Sequence, residues 1–121
     1  MKTILLVDDE PEILKVLGET LSDYHVITKT DAESALSVIR GGARVDLVLT
    51  DNYMPGMNGS ELINLLKKDA PSIPVIMLTA YGSVESYLQN ISSGVFEYIH
   101  KPVKANELRR IVQVALDSKE A

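Results

Sequence analysis

Five short apolar runs, separated by segments with helical spacing, constrain this 121-residue chain most strongly. The runs are rich in Val, Ile and Leu and are too short to be helices. Because polar and apolar residues do not alternate in them, as they would in a strand with one solvent-exposed face, they are typical of strands buried on both faces, as in a parallel sheet. The runs are residues 3–7, 25–28, 45–49, 74–78 and 95–99.

The first three helical segments carry end signals as well as apolar stripes. Pro11 falls in a first turn, where its missing N–H costs little. Gly41 and Gly42 suit a left-handed helix end, and Asn58 with Glu61 forms a capping-box pattern. The stripes are Ile13, Leu14, Leu17 and Leu21; Ala32, Ala35, Leu36 and Ile39; and Leu62, Leu65 and Leu66.

The last two predicted helices, 83–92 and 105–118, differ in apolar content. The first has few apolar residues among many polar ones, so we expect it to be the least firmly held helix. The second carries a full stripe of Leu108, Ile111, Val112, Ala115 and Leu116. Five strand–helix units in succession predict one α/β domain over residues 1–121, a parallel sheet with helices on both faces.

The composition excludes several classes of protein. The chain has no Cys, which rules out a disulfide scaffold and thiolate sites. Its 2 His are too few for a zinc centre built from histidines without carboxylate ligands. A net charge of −5 argues against direct nucleic-acid binding. No apolar run reaches the ~18 residues of a membrane span, and the start does not look like a signal peptide. These features predict a soluble, cytoplasmic protein without membrane contact.

Polar residues stand at the ends of four of the five runs. Asp8-Asp9 follow the first, Asp51 the third, Thr79 the fourth and Lys101 the fifth. Open parallel sheets bind ligands at this edge. One pair of carboxylates ~4 Å apart repels by about 4 kcal/mol at an effective dielectric near 20. We therefore expect a cation, Mg²⁺, beside the lysine, and these parts together suit the receipt of a phosphoryl group.

The motifs at these positions resemble the receiver domains of two-component response regulators, relatives of the bacterial chemotaxis response regulator. They occur in the order and spacing of that family over the whole chain, and residues 79–85 are especially similar to receivers of enhancer-binding transcriptional activators. The motifs are V-D-D-E-P at 7–11, L-T-D at 49–51, M-P-G-M-N-G at 54–59, L-T-A at 78–80 and Y-I-H-K-P at 98–102.

The resemblance implies a flavodoxin-like fold with strand order 2-1-3-4-5. Asp51 would take a phosphoryl group from the phosphohistidine of a sensor histidine kinase or a phosphotransfer protein. Asp9 and Asp51 would ligate Mg²⁺ with the backbone carbonyl of Tyr53, while Asp8 would hold a metal-bound water. Lys101 would pair with the phosphoryl group.

The resemblance also implies a switch. Thr79 would hydrogen-bond the phosphoryl group, and Tyr98 would turn inward as Thr79 moves. The bond between Lys101 and Pro102 would be cis. The face formed by the fourth helix, fifth strand and fifth helix would then control an output domain or target, or form a phosphorylation-dependent dimer.

The resemblance further implies a signalling module that is no enzyme beyond its own phosphorylation and slow dephosphorylation. Tyr53 and Tyr81 occupy positions that tune dephosphorylation in the family. A phenol is bulky and protonated at neutral pH, so we expect these side chains to obstruct the attacking water. The phosphorylated state should therefore be long-lived; the competing alternative is that one of the two tyrosine hydroxyls itself positions the water.

Plainer roles compete at single residues. Asp9 suits a helix cap, Asp51 a turn, and Tyr98 simple packing in a strand. Two other functions also compete: an aspartyl-nucleophile phosphatase and a flavin-binding flavodoxin-like module. The phosphatase would place its two acids two residues apart after the first strand, and the flavodoxin would need a glycine-rich phosphate loop where D-D-E-P stands.

Overall fold

The computed structural model describes residues 1–51, 54, 56–57, 59–79, 95–100 and 102–118. Within this part the chain forms strands β1 (Thr3–Val7), β2 (His25–Lys29), β3 (Leu47–Asp51), β4 (Val75–Thr79) and β5 (Glu97–His100). The helices described are α1 (Pro11–Thr20), α2 (Ala32–Arg40), α3 (Gly59–Asp69) and a C-terminal helix (Ala105–Ser118). The predicted helix 83–92 lies outside the described residues, as does the predicted cap Asn58.

The strands form one parallel sheet in the order β2-β1-β3-β4-β5, which confirms the predicted topology. The pairing of β1 with β3 runs as far as Val7 and Thr50, and the pairing of β3 with β4 runs one residue further, to Asp51 and Leu78. The carboxyl ends of β1 and β3 therefore lie side by side, with the end of β4 next to them.

Alternate residues of the central strands enter two separate hydrophobic cores, one on each face of the sheet. Ile4 and Leu6 of β1 pack with α1 and the C-terminal helix, while Leu5 and Val7 pack with α2 and α3. Helices therefore cover both faces, as predicted. None of the described helices is long and apolar enough to cross a membrane.

The end of α2 is closed by its two glycines. Gly41 keeps a right-handed helical conformation, and the left-handed residue is Gly42, with φ of 88°. The N–H of Gly42 donates to the carbonyl of Ile39, and the N–H of Ala43 donates to that of Val38. This is the Schellman pattern, so the predicted left-handed end of the helix is confirmed.

The two outer strands are not buried on both faces, so the prediction from apolar runs is wrong there. His25 and Thr28 of β2 are exposed, as are Glu97 and His100 of β5. These strands form the two edges of the sheet. A strand at an edge meets solvent along one side, so a short apolar run does not require burial of every residue.

Candidate functional site

Three aspartates meet at the carboxyl end of the central strands. Asp8 and Asp9 follow β1, and Asp51 is the last residue of β3. One carboxylate oxygen from each of the three residues lies within 4.8 Å of the other two. Asp8 is 1% exposed and Asp51 8%, whereas Asp9 is exposed. The cluster arises because β1 and β3 are neighbours that end at nearly the same level.

Asp8 is held by hydrogen bonds through both its side chain and its backbone N–H. Its Oδ1 accepts a hydrogen bond of 2.9 Å from the N–H of Glu10, and its own N–H donates to the carbonyl of Lys29 at 3.2 Å. The residue that caps α1 is Glu10, which makes no side-chain cap hydrogen bond. The alternative that Asp9 serves as the cap of α1 is therefore wrong.

Asp51 belongs to the sheet and is preceded by a buried hydroxyl group. It is the last residue of β3 and pairs with Leu78 of β4, so it does not act merely as a turn former. The hydroxyl of Thr50, which is completely buried, donates to the backbone carbonyl of Asp51 at 3.0 Å. The sequence indicates no role for Thr50 beyond its place in the L-T-D motif, although a polar residue at the end of an apolar run is a visible signal.

The remaining predicted site residues are placed only in part. The backbone of Thr79 ends β4 and pairs with His100, but its side chain lies outside what the structure describes. Tyr98 pairs with Met77 and its side chain is buried in the core shared with α2 and α3. Residues 53, 81 and 101 lie outside the described residues, and so does the predicted cis bond that precedes Pro102.

The donor set of the cluster fits a hard divalent cation. Carboxylate oxygens are hard ligands, and Mg²⁺ binds through one or two carboxylates while it keeps several waters. At 4.8 Å, two carboxylates repel by about 3.5 kcal/mol at an effective dielectric near 20. Since Asp9 is exposed, water can reach the cluster. Three acids at one sheet edge therefore form a candidate metal site.

The chain belongs to the response regulator receiver domain family, whose family model matches residues 4–113. The resemblance found in the sequence motifs is thereby confirmed, and with it the flavodoxin-like fold. The match favours a receiver domain over the phosphatase and the flavin-binding module. Phosphorylation and Mg²⁺ binding in two-component systems are general features of this family.

Particular relatives agree with this assignment. The chain is 34% identical over 119 residues to the nitrogen assimilation regulatory protein NtrX of Azorhizobium caulinodans. The matched region covers 95% of this chain and 26% of NtrX. It is 38% identical over 116 residues to the transcriptional regulatory protein GlrR of Escherichia coli K12, and this matched region covers 94% of this chain and 26% of GlrR. The chain thus spans about a quarter of these relatives.

A solved structure matches at nearly full length. The CheY-like response regulator receiver domain protein from Methanospirillum hungatei superposes with a TM-score of 0.95 at 33% identity, over 99% of this chain and 97% of that one. The likeness therefore extends over the whole receiver fold.

Proposed function

We propose that Asp51 is the phosphoacceptor and that it takes its phosphoryl group from the phosphohistidine of a sensor histidine kinase or of a phosphotransfer protein. The observation that carries this proposal is the cluster in which oxygens of Asp8, Asp9 and Asp51 lie within 4.8 Å of one another. Of these three, Asp51 alone is part of a strand, because it is the last residue of β3 and pairs with Leu78 of β4.

The transfer is a displacement at phosphorus. A carboxylate oxygen of Asp51 forms the new O–P bond while the N–P bond of phosphohistidine breaks, and the imidazole nitrogen keeps the electron pair and takes up a proton. A bound Mg²⁺ would supply positive charge for the oxygens of the transferred group. Asp9 and Asp51 would hold it together with the Tyr53 carbonyl, and Asp8 would hold a metal-bound water.

Two further groups belong to the proposed site. Lys101 would contact the phosphoryl oxygens through its ammonium group, and the hydroxyl of Thr79 would donate a hydrogen bond to them. Support for both comes from the family motif and, for Thr79, from the end of β4 at the same sheet edge. The bond from Lys101 to Pro102 would be cis.

The proposed output face consists of segment 83–92, β5 and the C-terminal helix. Receiver domains of response regulators interact with histidine kinases and with output domains. The proposed switch, in which Tyr98 responds to Thr79, is supported by the family motif; the Tyr98 side chain is already buried in this structure, at 8% exposure. An output domain or target, and a phosphorylation-dependent dimer, would use this face.

Several broader features are part of the same proposal. Residues 1–121 form one receiver domain that works in the cytoplasm, as two-component signalling to a transcriptional or similar output requires. The domain is a signalling module, and its only chemistry is its own phosphorylation and slow dephosphorylation. Tyr53 and Tyr81 would flank the path of the attacking water and lengthen the life of the aspartyl phosphate.

Phosphorylation by acetyl phosphate tests the assignment of Asp51. Intact-mass spectrometry should show one added phosphoryl group in the presence of Mg²⁺, much less with a chelator, and none in the Asp51→Asn variant. Asp23→Asn is the matched control, because Asp23 is exposed and outside the cluster. Equal labelling of Asp51→Asn and the unchanged protein would show that Asp51 is not the acceptor.

A further inference from the structure

We propose that the hydroxyl group of Thr50 positions the phosphoacceptor, because it holds the backbone carbonyl of Asp51. This inference rests on the proposed function of Asp51. It adds a residue that contacts neither metal nor phosphoryl group and acts only through its neighbour.

The chemical contrast within β3 points to Thr50. The preceding residues Leu47, Val48 and Leu49 are all apolar and buried. Thr50 is also completely buried, although a hydroxyl group costs free energy in such a place unless it is hydrogen-bonded. Valine has nearly the same shape without that cost. What distinguishes threonine here is the 3.0 Å hydrogen bond to the Asp51 carbonyl.

The position of this hydrogen bond explains what it can do. The ladder between β3 and β1 ends at Thr50 and Val7, and Asp51 lies one residue beyond it, with a ladder partner on β4. The hydroxyl therefore restrains a peptide group where the chain leaves the centre of the sheet. Since the position of this carbonyl depends on the backbone dihedrals of Asp51, the restraint also limits movement of the Asp51 Cα and of the Cα–Cβ bond from which the carboxylate projects.

The opposite side of the cluster is restrained in a comparable way. Oδ1 of Asp8 accepts from the N–H of Glu10, so the first acid is also held by a local hydrogen bond. Phosphoryl transfer and metal binding both depend on sub-ångström placement of ligand and nucleophile. A cluster whose two strand ends are both restrained by local hydrogen bonds is better placed for this than one whose strand ends move.

The test compares Thr50→Val, which removes only the hydroxyl, with Thr50→Ser, which keeps it. We expect Thr50→Val to lower the rate constant of phosphorylation by acetyl phosphate roughly 10-fold, the lower end of the range for partners that orient a metal ligand. Calorimetric titration should show weaker Mg²⁺ binding as well. Thr50→Ser should restore both, and urea unfolding without Mg²⁺ should be similar for all three proteins.

The control is Thr28→Val, the same substitution at an exposed position on the edge strand β2, which should change neither rate nor affinity. If Thr50→Val does not fold, Thr50→Ala compared with Thr50→Ser asks the same question. Equal rates in the Thr50→Val variant and the unchanged protein overturn the proposal. So does an equal loss in Thr50→Ser, or a loss that follows the unfolded fraction. Labelling of Asp51→Asn would instead contradict the proposed function.

Discussion

The two ends of the β1–β3 pair use the same kind of side chain for opposite purposes. At the amino end, Asp46 is 2% exposed, and its Oδ2 accepts a 2.8 Å hydrogen bond from the N–H of Thr3. The N–H of Asp46 donates back to the carbonyl of Thr3 at 2.8 Å, and Nε of Arg44 lies 3.6 Å from Oδ1. At the carboxyl end, three aspartates lie together instead.

The difference shows how position decides the role of a buried carboxylate. Asp46 satisfies a backbone donor and has a cation beside it, so its charge stabilises the start of the two strands. The cluster of Asp8, Asp9 and Asp51 brings like charges together, which costs stability until a cation binds. One end of the strand pair therefore serves the fold, and the other carries the candidate metal site.

The largest effect on stability is expected from Asp46→Ala. The change removes a hydrogen bond to a buried carboxylate and leaves the N–H of Thr3 without that acceptor, which together should lower the free energy of unfolding by about 3–4 kcal/mol. Urea unfolding at neutral pH without Mg²⁺ measures it. Asp46→Asn keeps an acceptor oxygen and should cost clearly less.

The contrast between the ends would fail if Asp46→Ala were as stable as the unchanged protein. It would also fail if Asp46→Ala, while folded, lost Mg²⁺ affinity as completely as a variant of the cluster. Either result would mean that the amino end is not primarily a structural clamp, or that the two ends are not separable.

The second prediction concerns Mg²⁺. A ligand that binds only the folded state stabilises it by about 2.7 kcal/mol at a hundredfold excess over its Kd, so the melting temperature should rise with Mg²⁺. In Asp9→Ala most of this gain should disappear. Without metal, the same variant should be more stable by about 1 kcal/mol, because the exposed Asp9 repels its neighbours through solvent.

Glu12→Ala provides the matched control, since Glu12 is an exposed acid on the first turn of α1. It should leave the response to Mg²⁺ intact. If the melting temperature of the unchanged protein did not rise with Mg²⁺, that result would count against the metal site. A loss of metal-free stability in Asp9→Ala would show that repulsion in the cluster is weak.

The parallel sheet with helices on both faces followed from the hydrophobic pattern, because alternation of short apolar runs and amphipathic segments leaves few architectures. The strand order came from the resemblance to receiver domains. The exposure of β2 did not follow, since a run of five residues does not reveal whether it lies at an edge. The strand β3 also begins at Leu47, two residues after the start of the apolar run 45–49. There Asp46 is bonded to Thr3 before the ladder begins.

The convergence of Asp8, Asp9 and Asp51 was predictable because parallel strands end at a common edge. The roles of Asp46 and Thr50 were not predicted, because each depends on one hydrogen bond across or along the sheet. The competing role of Asp9 as a helix cap was excluded only by the structure, in which α1 is capped at Glu10, next to the Asp8 carboxylate.

A fourth aspartate after a strand extends the comparison to β2. Asp31 caps α2: its Oδ1 accepts from the N–H of Ser34 at 2.7 Å, and its Oδ2 accepts from the Ser34 hydroxyl at 3.0 Å. The backbone hydrogen bond, followed by that of the hydroxyl, holds the pKa of Asp31 below its ordinary value of 3.8. Asp31 is thus a structural acid at the same sheet edge as the cluster.

The smallest expected effect is the acid sensitivity that Asp31 confers. Because its pKa is lower in the folded state, its stabilisation is fully present above the unfolded value and is lost as pH falls through the folded value. Asp31→Ala should therefore reduce the free energy of unfolding at neutral pH and flatten its decline below pH 3.8. Urea unfolding at a series of pH values measures this. Parallel curves for Asp31→Ala and the unchanged protein would show that the cap does not depend on the charge of Asp31.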